Sequence, residues 1–318
     1  MKIVFMGTGP FAVPTFQSLN NDHEIPVLVT RPTVTVRRGK QPPNPMRDVA
    51  VELGIPVLDP PSVNDNEFIK TLSDYAADLL VVCDYGQILS RTCLAAARLG
   101  GINLHGSLLP KYRGAAPVNW PIYFGDPTTG VSVIHMTPKL DGGPVLTSAS
   151  TEIGDDETAA ELEPRLSQLG VPCVHEAIAL LEDWDGEKII GQVQDSNLAT
   201  PARRLNKKDG LIDWTRAANE IRNQIRAFQP WPASYSFWVR NQKPMRLILH
   251  RAKVDAASTG RGEPGTAVEV EKDKLVVATG DQNLSIESVQ PSGKKLMQID
   301  EFLRGYQMQV GDRFVNES

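Results

Sequence analysis

The chain has 318 residues, of which 41% are hydrophobic and 22% are charged, and its formal net charge is −5 at pH 7. The length predicts two domains or one large α/β domain, and the composition excludes a disordered, a collagen-like and a disulfide-rich chain. No run of about 18 uncharged apolar residues occurs, so the sequence predicts no transmembrane helix. The three cysteines are odd in number and lack metal-ligand spacing. These features predict a protein of the reducing cytoplasm.

The first half of the chain alternates between short apolar runs and segments with helical apolar spacing. Residues 2–7 are too few for a signal-peptide core and are predicted as the first strand. Further strands are predicted at 25–30, 55–58, 79–83 and 102–105, with helices at 10–20, 45–54, 65–75 and 90–98. Strands at 131–136 and 145–151 are predicted to extend the sheet, before two helices at 157–169 and 172–184. This alternation predicts a doubly wound, Rossmann-like α/β domain with a parallel sheet.

The pattern changes near residue 200, where polar residues and a proline replace the apolar periodicity. We therefore predict a first domain at 1–195, a linker at 196–206 and a C-terminal domain at 207–318. After a helix at 217–227, five strand-like runs follow at 233–239, 246–252, 265–270, 274–278 and 284–289. Short strands at this spacing predict a small antiparallel β-barrel of OB-like form.

The charge is unevenly divided along the chain. Residues 201–318 carry a net charge of +5, and the remaining residues carry −10. A basic module joined to an acidic body suits a polyanionic partner such as nucleic acid. An ordinary surface with uneven charge gives the same numbers, so the charge alone leaves both interpretations open.

A glycine motif follows the first predicted strand. Gly7-Thr8-Gly9-Pro10-Phe11-Ala12 matches the dinucleotide-binding pattern G-x-G-x-x-A. A dehydrogenase would need an acidic residue after the second strand, where Thr30-Arg31-Pro32 stands instead. Because an arginine there suits a 2′-phosphate, an NADP-linked reductase stays as an alternative. We favour a tight turn whose glycines let the first helix pack closely on the strand.

Three polar side chains are predicted to meet at one edge of the sheet. Asn103 and His105 lie two residues apart near the carboxyl end of a predicted strand, and Asp141 follows the next strand. With no obvious serine or cysteine nucleophile, this set favours direct group transfer. Asn103 could donate to a developing oxyanion, and His105 could supply a proton or a second donor to the same oxygen. Asp141 could hold the charge and tautomer of the histidine, or accept the proton of the nucleophile through water. A capping asparagine beside a structural histidine is the alternative, and His105, His135 and Asp141 lack metal-ligand spacing, so no metal is predicted.

The same stretch carries a family resemblance. Asn103-x-His105, followed by Ser107-Leu108-Leu109-Pro110-x-Tyr112-Arg113-Gly114-Ala115-Ala116-Pro117 and by Asp141, resembles the formyltransferase family that uses 10-formyltetrahydrofolate. Residues 1–12, 38–40, 206–214 and 226–232 resemble the branch of this family that formylates initiator methionyl-tRNA. The resemblance covers most of the chain and implies a catalytic domain followed by a tRNA-binding barrel.

The resemblance also implies roles for individual residues. Asn103, His105 and Asp141 would be the catalytic trio for formyl transfer to the α-amino group of initiator methionyl-tRNA, a step of translation initiation. The folate cosubstrate would lie against the backbone of Val82–Ile88 and against the Asp141 loop. The implied cofactor-binding residues are Tyr85, Gly86, Gln87, Ile88, Ser107, Leu108, Leu109 and Pro110. The basic residues expected to contact tRNA phosphates are Arg38, Lys40, Arg203, Arg204, Lys207 and Lys208, with Arg31, Arg37, Arg216, Arg222 and Arg226 beside them.

Some positions depart from the family pattern, and other functions stay open. Asp84 stands where a small residue is common, Gly143-Pro144 replaces a glycine and a carboxylate, and the loop 32–40 differs. A glycinamide-ribonucleotide or amino-sugar formyltransferase is the nearest alternative, although the first normally lacks a basic second domain. A tRNA-binding protein that has lost catalysis is a further alternative, and the intact trio argues against it. We expect a monomer.

Overall fold

A computed structural model describes residues 1–32, 43–240, 243–257 and 262–316 of the chain. The chain forms two compact units, and each is assembled from more than one segment. The first unit comprises Met1–Val118, Thr128–Glu152 and Leu162–Arg203, and the second comprises Asn119–Pro127, Ile153–Glu161 and Arg204–Ser318. Two short pieces of the second unit therefore come from within the predicted first domain.

The elements of the first 203 residues alternate as the sequence predicts over its first half. The strands are β1 (Lys2–Gly7), β2 (Glu24–Val29), β3 (Val57–Leu58), β4 (Leu79–Cys83), β5 (Gly101–His105), β6 (Arg113–Gly114), β7 (Thr128–His135), β8 (Val145–Glu152) and β9 (Pro201–Ala202). The helices are α1 (Val13–Asp22), α2 (Pro45–Glu52), α3 (Asn66–Asp74), α4 (Arg91–Leu94), α5 (Asn119–Phe124) and α6 (Ala159–Glu182). Asn44, Asp65 and Ser90 each cap the helix that follows through a side-chain oxygen, which satisfies backbone N–H groups of the first turn.

Seven of these strands form one sheet in the order β3-β2-β1-β4-β5-β7-β8. Strands β1 to β5 pair in parallel, but β7 is antiparallel to both β5 and β8. The prediction of a parallel sheet is therefore wrong for β7, which runs opposite to the other six strands and makes both of its pairings antiparallel. Only residues 136–144 join β7 to β8, and a parallel crossover needs a dozen or more residues, so the chain must turn straight back. The sheet is mixed.

The helix α6 also differs from the sequence prediction. Two helices with a break before Pro172 were predicted, whereas one helix of 24 residues contains both Pro164 and Pro172. A proline removes one backbone hydrogen bond from a helix and crowds the preceding turn. Here the buried face of the helix continues past Pro172 through Val174, Ile178 and Leu181, and the burial of these side chains favours continuation.

The centre of the sheet positions the candidate site. All five residues of β4 are buried between β1 and β5, as expected for a central strand that is covered on both faces. From β1 the chain proceeds outward to β2 and β3, and from β4 it proceeds the other way. Ligands of open α/β sheets bind at the carboxyl ends of strands beside such a switch point. The carboxyl ends of β1, β4 and β5 therefore mark the place to search.

The second unit is built on antiparallel strands, as predicted. Its elements are α7 (Ala218–Ala227), β10 (Ser234–Arg240), β11 (Lys243–Asp255), β12 (Ala267–Val270), β13 (Leu275–Ala278), β14 (Asn283–Pro291), β15 (Met297–Gln298), α8 (Ile299–Tyr306) and β16 (Phe314–Val315). The sheet order is β12-β13-β14-β11-β10-β16, with β15 beside β14. An antiparallel bridge between Thr266 and Arg313 links the chain at the two edges of this sheet. Ile221, Trp238 and Phe302 belong to one buried cluster, so α7 and α8 cover the apolar side of the strands. Within the described ranges, no helix has the length and apolar character needed to cross a bilayer.

Candidate active site

Asn103 and His105 project from one face of β5, two residues apart, as the strand period requires. The backbone of β5 is paired on both sides, with β4 and with β7, so the two side chains stand on a rigid element. His105 is only 5% exposed, whereas Asn103 is half-buried. Among the described residues, the Asn103 amide has no hydrogen-bond partner. Its N–H donors are therefore available to a ligand at the edge of the sheet.

A backbone contact decides which nitrogen of His105 can react. Nε2 lies 2.9 Å from the carbonyl oxygen of Tyr112. Because a carbonyl oxygen only accepts, Nε2 must carry the proton and donate it. Nδ1 is then the nitrogen that can take up a proton, and it lies 3.8 Å from Oδ2 of Asp141. The carboxylate stands where it would stabilise a positive charge that develops on the ring.

The Asp141 side chain is held in place by the backbone of the neighbouring loop. Its Oδ2 accepts a hydrogen bond of 2.8 Å from the Gly114 N–H, and the side chain is only 12% exposed. Asp141 itself adopts a φ of 46°, in the left-handed region that non-glycine residues rarely occupy. The structure thus brings Asn103, His105 and Asp141 to the carboxyl end of β5, within the first unit.

Two further side chains support this loop. The Gln194 amide donates to the carbonyl oxygens of Asp141 and Gly143, at 2.9 and 2.6 Å. Its Oε1 accepts from Nε and Nη2 of Arg113, at 3.0 and 2.7 Å. Gln194 is not among the residues predicted from the sequence, because it lies 53 residues from Asp141 in a polar segment with no strand or helix period to mark it. Only the polar character of that segment could have drawn attention to it.

The predicted cofactor-binding residues 107–110 form a tight turn after β5. Ser107 is fully buried, and its hydroxyl donates to the carbonyl oxygen of Lys111 at 2.8 Å. The carbonyl of Ser107 accepts from Ser132, whose Oγ in turn accepts from the Leu109 N–H at 3.0 Å. These bonds show that the Ser107 side chain shapes the turn, so a ligand would meet the turn's outer surface rather than this hydroxyl.

The predicted cofactor-binding residues 85–88 follow β4. Tyr85 is 2% exposed within the apolar core of the first unit, and Gln87 accepts a hydrogen bond of 2.9 Å from the Val63 N–H. Ile88, in contrast, is 60% exposed, and Gly86 is exposed with a φ of 79°. The side chains of Tyr85 and Gln87 therefore stabilise the loop, while Gly86 and Ile88 are the members of this segment that a ligand can reach.

Asp84 occupies the space beside the glycine motif. Its carbonyl accepts from the Thr8 N–H at 3.0 Å, and a Cβ added to Gly9 would lie 1.7 Å from Oδ2 of Asp84. The residue reaches solvent, although protein surrounds most of its carboxyl group. Desolvation, with the nearby Glu163 carboxylate as a second cause, raises the pKa of Asp84 to about 7. In a dinucleotide site the second glycine makes room for a pyrophosphate, and here a carboxylate fills that room.

The basic residues predicted to contact tRNA fall into three groups. Lys207 and Lys208 are exposed in a 3-10 turn and form no ion pair within the described ranges, and Arg203 and Arg204 are also exposed. Arg38 and Lys40, with Arg37, lie outside the described residues. The other predicted arginines of the second unit serve internal contacts: Arg222 binds Asp156 at 2.8 Å, Arg226 contacts Asn223, and Arg216 donates to Tyr123. Burial lowers the pKa of Arg226.

His135, considered above as a possible metal ligand, contacts a backbone carbonyl and an aromatic ring. Its Nε2 lies 2.9 Å from the carbonyl oxygen of Leu99, and its ring meets the edge of Trp184. Across the described part of the chain, no group of three or more His, Cys, Asp or Glu side chains is arranged to hold a metal ion.

Comparisons with known proteins identify the family to which the chain belongs. A family model described as "Formyl transferase" matches residues 1–178, and one described as "Formyl transferase, C-terminal domain" matches residues 204–307. The chain is thus a formyltransferase with the C-terminal domain of that class. A methionyl-tRNA formyltransferase of Rhodopirellula baltica is 44% identical, covering 99% of this chain and 97% of the relative. A methionyl-tRNA formyltransferase of Geobacter sulfurreducens is 39% identical, covering 98% of this chain and 96% of the relative. The chain belongs to the methionyl-tRNA formyltransferase family of enzymes.

Solved structures share the fold at low sequence identity. HypX of Aquifex aeolicus, in complex with tetrahydrofolic acid, aligns with a TM-score of 0.61 and 16% identity over 98% of this chain and 48% of that protein. An N-formyltransferase of Helicobacter canadensis, in complex with folinic acid and dTDP-3-aminofucose, aligns with a TM-score of 0.65 and 18% identity over 90% and 98%. At these identities the two structures show a shared fold.

Proposed function

We propose that this enzyme transfers the formyl group of 10-formyltetrahydrofolate to the α-amino group of initiator methionyl-tRNA. The observation that carries the proposal is the arrangement at the end of β5, where Nδ1 of His105 faces Asp141 at 3.8 Å and the Asn103 amide is open to a ligand. Membership of the family supplies the substrates, because its members carry this activity in their name. We likewise propose a monomeric enzyme that acts in the cytoplasm.

The proposed reaction is a direct transfer between two nitrogens. The amine attacks the formyl carbon, a C–N bond forms, and the carbonyl oxygen becomes an oxyanion that accepts from the Asn103 amide. His105 takes the amine's proton on Nδ1, donates from that nitrogen to the same oxyanion, and is stabilised by Asp141. When the tetrahedral intermediate collapses, the bond to the folate nitrogen breaks and the proton passes to that nitrogen. Tetrahydrofolate then leaves.

The surface around the trio suits a folate cosubstrate. Ile88 and Leu140 are 60% and 53% exposed, so apolar side chains flank the two loops that the family resemblance assigns to the folate. The loop backbones supply polar groups for a pteridine, and the Asn103 amide is available for the formyl oxygen. We propose that Val82–Ile88, the turn 107–110 and the Asp141 loop together hold the folate, with Gly86 and Ile88 at the surface of contact.

We propose that the second domain binds tRNA. Lys207 and Lys208, with Arg203 and Arg204 in the linker 196–206 and Arg38 and Lys40 in the first domain, would contact phosphates as the sequence predicts. The structure adds a groove of about 730 Å³ on the second unit, lined by Arg240, Lys243 and Arg246 among others. The Arg246 guanidinium lies 4.0 Å above the Tyr235 ring, and Arg240 lies over Trp238. Aromatic faces hold these cations, and no carboxylate pairs with them among the described residues. Apart from the buried Nε of Arg246, their guanidinium donors are therefore available to phosphates.

One experiment tests the activity. The protein is incubated with 10-formyltetrahydrofolate and charged initiator tRNA, and formylmethionyl-tRNA is measured for the wild type and for His105→Ala. We expect product from the wild type only, and none with uncharged tRNA, which lacks the amine. An amino-sugar nucleotide replaces the tRNA in a parallel reaction, and NADPH binding is measured separately. Formylation of the sugar in preference to the tRNA, or tight NADPH binding, would overturn the proposal.

A further inference from the structure

The loop that carries Asp141 has an uncommon backbone conformation. Asp141 has a φ of 46°, and a Cβ on Gly143 would lie 1.9 Å from the carbonyl oxygen of His135. A residue in such a sparsely populated region persists there only where the surroundings determine it. Among the described residues, one hydrogen bond reaches the carboxylate, from the Gly114 N–H to Oδ2, and the Gly142 N–H bonds within the loop. These two bonds leave the carbonyls of Asp141 and Gly143 to be held by another donor.

Gln194 supplies that hold. Its amide nitrogen donates to two carbonyl oxygens of the loop, those of Asp141 and Gly143, so one side chain fixes both peptide planes. The segment that carries Gln194 is anchored two residues earlier, where Gln192 and Val145 exchange backbone hydrogen bonds of 2.8 Å at the start of β8. Hydrogen bonds thus hold the loop at two of its carbonyl oxygens and at the point where it joins β8.

Arg113 determines which way the Gln194 amide faces. An arginine has donors only, so it can contact the amide oxygen and not the nitrogen. The two bonds from Arg113 to Oε1 therefore turn Nε2 towards the loop carbonyls. The next residue along the chain, Gly114, donates to the Asp141 carboxylate itself. Arg113 therefore acts on the backbone of Asp141 through Gln194, whereas Gly114 contacts the Asp141 side chain directly.

We propose that Gln194, oriented by Arg113, is a positioning residue that sets the Asp141 carboxylate against Nδ1 of His105. This inference rests on the proposed function, because it assigns Gln194 a role only through Asp141. Gln194 contacts no reacting atom. A displaced loop would move the carboxylate relative to the imidazole, and misplacement by about 1 Å can reduce a rate about 100-fold.

The test uses a substitution that removes the two N–H donors, keeps the shape of the side chain and adds one negative charge. Gln194→Glu keeps the size of the side chain and its attraction to Arg113 but sets carboxylate oxygens against two carbonyl oxygens. Gln192→Glu is the matched control, because it makes the same change two residues away on an exposed side chain. We expect Gln194→Glu to lower kcat about 10- to 100-fold with KM for the folate within about threefold, and the control to change kcat less than twofold.

A double-mutant cycle separates positioning from a general loss of structure. In the Asp141→Asn background, Gln194→Glu should lower kcat less than about threefold further, because its effect passes through the carboxylate. An undiminished effect in that background, or equal effects of Gln194→Glu and Gln192→Glu, would overturn the inference. If Gln194→Glu does not fold, Arg113→Lys, which loses the two-pronged contact to Oε1, enters the same cycle with the same expected outcome. A wild type without formyl transfer would instead refute the proposed function.

Discussion

Replacement of Asp141 by asparagine tests the electrostatic role assigned to this carboxylate. Asparagine has nearly the same shape and can still accept the hydrogen bond from Gly114, so the loop should keep its conformation while the negative charge is lost. Oδ2 of Asp141 lies 3.8 Å from Nδ1 of His105, and the two side chains are 12% and 5% exposed. With an effective dielectric constant of about 20, two unit charges at this separation attract by about 4 kcal/mol. If His105 carries a full charge in the transition state, that loss corresponds to a rate about 10³-fold lower.

The assay that isolates this effect is single-turnover formyl transfer from the preformed complex with the folate. Asp74→Asn is a matched control, because Asp74 is an exposed carboxylate at the end of α3, away from the sheet edge that carries the trio. We expect the rate of the Asp141 variant to fall about 10³-fold and that of the control to stay within twofold. A fall of less than about fivefold, or a change in KM alone, would show that Asp141 acts in binding rather than on a charged His105.

Two further predictions concern other parts of the molecule. Because Asp84 has a pKa of about 7 when folded and an ordinary value of 3.8, the folded state keeps a proton that the unfolded state releases, and stability should fall as the pH rises from about 4 to 7. Asp84→Asn should remove this fall, and its free energy of unfolding at pH 8 should exceed that of the wild type by about 1 kcal/mol after screening, which corresponds to about 2 °C in Tm. Identical pH profiles of Tm for the two proteins would contradict this prediction. Replacing Arg240, Lys243 and Arg246 by glutamine should weaken tRNA binding and make the slope of log Kd against log salt shallower by about one to three. The control removes three charges that are already paired, those of Arg251, Lys253 and Lys274, and an equal effect of both triple variants on Kd would refute the groove as a tRNA site.

The first five strands were predictable because each apolar run is followed by a helical segment, and a crossover helix makes the next strand parallel. The direction of β7 and β8 was not predictable from their own residues, since an apolar strand has the same pattern in either direction. The length of the connection 136–144 indicates only that β8 runs antiparallel to β7, and the longer segment between β5 and β7 allows either direction for β7. The predicted break at Pro172 is wrong for a related reason. A proline locally favours the end of a helix, whereas the buried face that continues beyond Pro172 depends on the packed structure.

At the site, the sequence placed Asn103 and His105 together because the strand period requires it. It could not show that Nδ1 of His105 is the free nitrogen, since a backbone carbonyl seven residues away determines that. The sequence also could not show which charged side chains are available to a ligand. Arg222 and Arg226 looked like part of a tRNA-binding surface, yet their donors are used within the second unit. A sequence records which residues are charged but not which partners neutralise them.

The glycine motif after β1 shows the same distinction for a ligand site. The motif requires a backbone that turns sharply and leaves no room for a side chain at Gly9, and both a nucleotide-binding turn and this chain meet that requirement. What differs is the group that fills the room: Oδ2 of Asp84 lies 1.7 Å from where a Cβ of Gly9 would be. A pyrophosphate approaching the same space would meet the Asp84 side chain, which already fills it. Asp84 thus disfavours the NADP-linked reductase on steric grounds, although the motif itself is intact. The pattern reports backbone geometry, and the residue opposite the glycine determines which ligand that geometry can accept.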